Sequence, residues 1–207
     1  MKKLLALLLS LFFLSSTSVF SDDISDFQIE GISIGDSLLD YMTKDEILEG
    51  IERTKNVYLH LNEPKKYAEV WLLRSSKTYK HIGVYIKNNS TSQNVTNNND
   101  EYIILGLRGA TPYNNDFDSC IVKRDEIADE ISKLFPSEYK WESTELHPAD
   151  PSGNSIIDGI YFNFDSGARA KIYCSDWEET LRIKNNWSDY FNITFNSEEI
   201  ITWLTDY

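Results

Sequence analysis

The sequence predicts an α+β fold, a mostly antiparallel sheet with helices packed on one face. Three observations predict it. Several segments alternate apolar and polar residues with the two-residue period of a strand, and short helical stripes separate them. The segments fall into two similar α-β-β-β halves, residues 37–110 and 116–175, followed by a strand and a helix. The chain has only two cysteines, Cys120 and Cys174, and they bracket a helix and a hairpin in the second half. No residue-level repeat links the halves. The 207 residues suit one domain, 22–207, with 22–115 and 116–207 as subdomains.

The first 21 residues read as a signal peptide outside that fold. Lys2 and Lys3 form a positive start, residues 4–14 are apolar apart from Ser10, and Val19-Phe20-Ser21 fits a small-x-small cleavage site. Cleavage after Ser21 leaves a soluble, periplasmic or secreted protein. The apolar run is too short for a comfortable membrane span, and no later segment is a transmembrane candidate. In an exported chain Cys120 and Cys174 are expected to form a disulfide. Closing a loop of about 55 residues stabilises by about 4 kcal/mol in the loop-entropy account.

Residues 29–34 alternate as a short strand. Asp36 or Ser37 then caps a helical turn carrying Leu38, Leu39, Tyr41 and Met42. Thr43 and Glu46 have capping-box spacing, and Ile47, Leu48 and Ile51 supply one helical face. Residues 26–41, DFQIEGISIGDSLLDY, resemble the mature start of a group of uncharacterised exported bacterial proteins of similar length. The resemblance extends to the segment around Cys120 and to Tyr173-Cys174-Ser175-Asp176-Trp177. It implies a bacterial envelope location and no particular activity.

Residues 67–74 and 79–87 read as strands. Ile82, Val84 and Ile86 share one face, and His81, Gly83 and Tyr85 share the other. Trp71 and Tyr85 fall opposite the main apolar face, which is then covered by a second layer or is a binding surface. Residues 88–101, rich in Asn, Ser and Thr, read as a polar loop. A strand resumes at 102–108 with Ile103, Leu105 and Leu107 on one side, and 109–115 is a connection. Four Asn-x-Ser/Thr matches carry no weight in so Asn-rich a chain.

Asp116 or Asp118 caps a helix over 118–135, with Ile127, Ile131, Leu134 and Phe135 as a core stripe and Pro136 as its stop. Residues 140–146 read as a strand and 156–175 as a hairpin. A two-residue turn would set Phe162 against Lys171. A three-residue loop, Asp165-Ser166-Gly167, pairs Phe162 with Ala170 and Ile160 with Ile172, and puts Gly167 at the left-handed position. That register places Cys174 under the helix bearing Ile127 and Ile131. Residues 177–187 are ambiguous between helix and loop. Residues 190–195 form a strand with Phe191, Ile193 and Phe195 inward. Asn196 or Ser197 caps a last helix with Ile200, Ile201 and Leu204 as its apolar face.

The formal net charge is -13, which argues against nucleic acid as a partner. No nucleophile elbow, P-loop or paired-histidine zinc motif is present. His60, His81 and His147 are not spaced as ligands on one element, and no Asp-rich calcium loop occurs. His147 beside Asp150 is the nearest approach to an acid–base pair, and it is not assigned as catalytic. No catalytic, cofactor or metal residue is assigned; the one assigned pair is the Cys120–Cys174 disulfide. Five tryptophans and twelve tyrosines can line a groove, although aromatic residues are more often core. The expected function is non-catalytic binding of a ligand or partner in the periplasm. The alternatives are a carboxylate-based hydrolase and a structural envelope component.

Overall fold

The computed structural model describes residues 24–55, 67–72, 78–87, 101–135 and 139–205. The signal segment, His60, residues 88–100 and Pro136 lie outside them. In chain order the elements are β1 (Gln28–Ile29), β2 (Ile32–Ser33), α1 (Lys44–Thr54), β3 (Tyr67–Leu72), β4 (His81–Lys87), β5 (Ile104–Pro112), α2 (Phe117–Ser132), β6 (Lys140–Leu146), β7 (Ile156–Asn163), β8 (Arg169–Asp176), α3 (Glu179–Asn185), β9 (Tyr190–Asn196) and α4 (Glu198–Thr205).

Strands β3 to β9 form one seven-stranded antiparallel sheet in the order β3-β4-β5-β9-β8-β7-β6. Each half supplies a three-strand meander, and β9 joins them. Because strand side chains alternate, every strand presents one set of residues to each face. On one face Val70, Val84, Leu107, Phe195, Ala170 and Phe162 sit side by side across six strands. All six are buried, and helices α1 and α2 lie over this face.

The expected hairpin register is present. Phe162 pairs with Ala170, Ile160 pairs with Ile172, and Gly167 has φ +80° in the connecting loop. Asp116 caps α2 by accepting from the Ser119 N–H. Ala128 and Ile131 are buried against the sheet, and Ile127 is packed beside them. Cys120 near the start of α2 is bonded to Cys174 near the end of β8, with Cα atoms 6.0 Å apart. The Thr43–Glu46 capping box is also formed, both reciprocal bonds being present.

Four details depart from the sequence reading, and a fifth resolves an open one. Residues 29–34 do not run straight: Glu30 and Gly31 take positive φ and fold β1 back on β2. A register shift at Tyr85/Ile86 puts Ile104 and Leu107, rather than Ile103, Leu105 and Leu107, on the helix-covered face. Strand β5 runs on through Pro112, because β9 continues to pair with it there. Leu134 is exposed because α2 ends at Ser132, and Phe135 turns into the core instead. Residues 179–185 are helical, which settles the ambiguous stretch.

The fold reading of helices on one face holds for α1 and α2. The last helix, α4, lies against the other face. Ile200 and Trp203 are its buried side chains, packed on Tyr67, Tyr85 and Leu105, while Ile201 is only half-buried. Trp203 packs 4.8 Å from the Tyr67 ring, centroid to centroid. Among the described residues, no other helix packs its buried side chains on that second face.

An aromatic and cationic cleft on the second face

Strand register alone assembles the floor of the candidate site. Trp71, Gly83, Arg108, Thr194, Lys171, Tyr161 and Trp141 are successive cross-strand partners from β3 to β6. At strand spacing this row spans about 29 Å. Arg108 and Lys171 flank Thr194, about 10 Å apart along the row. A second row carries His81, Ala110, Asn192, Tyr173, Gly159 and Ser143. On the other side lie Glu69, Tyr85, Gly106, Asn196, Arg169 and Asn163. Gly159 leaves room for a neighbour: a Cβ there would fall 3.0 Å from the Tyr161 ring.

The two central cations are held in different ways. Arg108 donates from Nε and Nη2 to the buried Asn192 Oδ1, at 3.1 and 2.8 Å, which fixes the plane of the guanidinium. Its guanidinium carbon lies 5.5 Å from the Trp71 ring centroid. The Lys171 ammonium rests on two tyrosine faces, 4.8 Å from the Tyr161 centroid and 4.4 Å from that of Tyr173. Burial lowers its pKa, and Glu145 at the β6 edge opposes that shift. Among the described residues no carboxylate is within ion-pair distance of it.

Aromatic residues wall one end of the cleft. Asp150 accepts from the Ser152, Asn154 and Ser155 N–H groups and from the Ser155 hydroxyl. These bonds, the Ser155 hydroxyl first, hold its pKa well below the usual carboxylate range. The same turn delivers His147 against Trp177, ring centroids 3.8 Å apart. Glu178 caps α3, and Asn186 ends it in the left-handed conformation. The reversal brings Trp187 back to 4.3 Å from Trp177. At the β6 end of the row, Trp141 stacks on Tyr161 at 3.9 Å and 6°.

The cleft beside His147, Trp177 and Trp187 has a volume of about 670 Å³, within the range of small-ligand sites, and the Trp141–Tyr161 stack lies beyond it along the row. Arg108, Lys171, Asn192, Tyr173, Trp177 and Trp187 are among its lining residues. Glu69 lies on the same face but is buried beside the α4 contact. Its Oε2 has no hydrogen-bond partner, and burial pushes its pKa up to about 7 against the pull of Arg108.

The sequence pointed to Trp71 and Tyr85 as residues opposite the core, and both are on this face. The structure places His147, singled out in the sequence beside Asp150, at the cleft. His147 and Asp150 do not make an acid–base pair. Asp150 is consumed by its own turn, and His147 Nδ1 accepts from the Ala149 N–H while burial lowers its pKa. The residues missed were Arg108, Thr194 and Lys171. Their only sequence signal is a set of basic or hydroxyl residues at the alternate positions of apolar strands. The described residues contain no group of three or more His, Cys, Asp or Glu close enough to hold a metal ion. No described helix is long and apolar enough to cross a membrane.

Comparison with known protein families, with curated proteins and with solved structures finds no match for this chain. The class defined by fold and site is therefore an architectural one: an α+β protein with one helix-covered sheet face and one open, aromatic and cationic face. Function has to be read from the residues of that face.

Proposed function

We propose that this is an exported protein of the bacterial envelope that binds a small ligand in the cleft and performs no chemistry on it. One observation carries the reading. Arg108, Thr194 and Lys171 stand in register across three central strands, with aromatic residues on both flanks. A sheet face serving only solubility needs no half-buried lysine between tyrosine rings. The pairing of apolar walls with a few convergent polar groups is the usual form of a ligand site. Binding without turnover is favoured because the nearest acid–base pair, His147 and Asp150, is tied up within its own loop. The signal segment and the disulfide support export.

Native mass spectrometry of the protein recovered from its own cell envelope tests this reading. The expected result is a retained small molecule that is lost from a Tyr173→Ala/Trp187→Ala variant. A stoichiometric protein partner in place of a small molecule would overturn it in favour of a structural envelope role. Turnover that disappears in His147→Ala would overturn it in favour of a hydrolase.

A further inference from the structure

The chemistry of the cleft narrows the ligand class, given that the cleft is the ligand site. The chain as a whole carries a net charge of -13, yet the middle of this face presents Arg108 and Lys171 with Arg169 in the adjoining row. The acids on the same face lie to its sides. Glu69 is buried next to Arg108, Glu145 accepts from the Tyr161 hydroxyl at 3.3 Å, and Glu199 pairs with Lys87 at 2.9 Å. Among the described residues Lys171 has only ring faces for partners, so an anion arriving there meets a partly desolvated cation.

The aromatic groups also discriminate. Trp177 is enclosed by His147 and Trp187, and Tyr161 by Trp141 and Lys171. Among the described residues, the faces of Trp177 and Tyr161 are therefore already occupied. The most exposed indoles on this face are those of Trp187 and Trp141, 38% and 39% exposed. Such faces suit the C–H side of a sugar ring. Around them the floor supplies hydroxyls and amides: Tyr173, Tyr190, Ser175, Thr194 and Asn192. From Arg108 to Trp141 the row extends about 19 Å, longer than one sugar ring.

We propose that the cleft binds an acidic oligosaccharide, a chain of sugar rings carrying a carboxylate or sulfate group, with the anionic group over Thr194 between Arg108 and Lys171. The outer face of Trp187 holds a ring inside the cleft, and that of Trp141, beyond the cleft at the β6 end of the row, holds a more distant one. The charged group gives specificity, and the rings give contact area.

Isothermal titration calorimetry of the full mature protein at low ionic strength is the test. The probes are trigalacturonate, a sulfated heparin disaccharide, the neutral maltotriose, and indole-3-acetate. Saturable binding of trigalacturonate or of the sulfated disaccharide is expected, and which of them binds identifies carboxylate or sulfate as the anion. Lys171→Met should weaken that binding at least about tenfold, the worth of one charge-assisted hydrogen bond. Lys171→Arg should largely keep it, which separates loss of charge from loss of fold, and added salt should weaken it. Maltotriose binding as tightly as the acidic sugar would overturn the inference, as would an unchanged affinity in folded Lys171→Met. Binding of indole-3-acetate without either acidic sugar would also overturn it, while leaving the cleft as a ligand site. If no probe binds and no molecule is retained by protein from the envelope, both the inference and the cleft reading fall.

Discussion

Two rows of side chains, one residue apart along the same strands, behave as opposites. Val70, Val84, Leu107, Phe195, Ala170 and Phe162 form one row and are all buried. Trp71, Gly83, Arg108, Thr194, Lys171, Tyr161 and Trp141 form the other, and most of them remain accessible. The first is covered by α1 and α2 and pinned by the Cys120–Cys174 bond. Among the described helices, α4 alone packs on the face of the second, beside that row at Tyr67 and Tyr85. A one-residue slip would exchange them. The contrast teaches that the same residue type has a different task on each face. Arg124, between α2 and the sheet, is 8% exposed and paired with Asp158 of β7 and with its neighbour Asp125. Lys171, on the other face, lies on rings and has no carboxylate partner among the described residues.

Removing the covered cation should have the largest effect. Arg124→Ala leaves Asp158 facing α2 with the Thr144 hydroxyl as its remaining partner. Breaking a buried pair from one side costs about 3–5 kcal/mol. Asp158 keeps some access to water, with 26% of its side chain exposed, which favours the lower end. Urea unfolding with the disulfide intact checks this. Arg124→Met with Asp158→Val removes both charges and should recover most of the loss. A single variant as stable as the parent would erase the distinction between the faces.

Glu69 sharpens the comparison, because it belongs to the second face by register but is buried like a core residue, 2% exposed. Burial raises its folded pKa to about 7, above the 4.5 of an ordinary glutamate. Between those two values the folded protein holds the proton more tightly than the unfolded chain. Stability therefore falls as pH rises from about 4.5 to 7, and above pH 7 the full penalty is present, about 3 kcal/mol. Glu69→Gln should flatten that slope and exceed the parent stability at pH 8 by up to this amount, while matching it near pH 4. Thermal unfolding across the range reads the difference. Equal slopes in the two proteins would place Glu69 with the solvated residues of its row.

The helix-covered face was legible in the sequence because its determinants are local. The 127, 131, 135 spacing, the Thr43–Glu46 box, the period-2 runs and the turn chemistry of Gly167 each lie within a short window. The cleft was not legible for the converse reason. Arg108, Thr194 and Lys171 come from three strands that are neighbours only because β9, near the end of the chain, inserts between β5 and β8. No local pattern states that strand order. Trp71 and Tyr85 could be assigned to the second face by alternation, but not to a row with Lys171. Trp203 was missed at the last helix because Ile200, Ile201 and Leu204 also make a consistent stripe. Only the position of the Tyr67 ring decides which set is buried.

The smallest stability effect should come from the open-face cation. Lys171→Met removes a charge whose burial is unfavourable and two ring contacts that offset it. Ring contacts of this kind contribute about 0.5–2 kcal/mol, so the net change at pH 7 should stay within about 0.5 kcal/mol. The pH dependence carries the sign. Because the folded pKa is lowered, the unfolded chain holds more protons between that value and 10.5, and parent stability rises with pH through this window. Lys171→Met lacks that rise, so the parent should gain on the variant as pH approaches 10.5. Differential scanning calorimetry of both proteins from pH 7 upward measures it. A loss at pH 7 comparable to that of Arg124→Ala would make Lys171 a structural cation, and the two faces would then differ in what covers them but not in what their charges do.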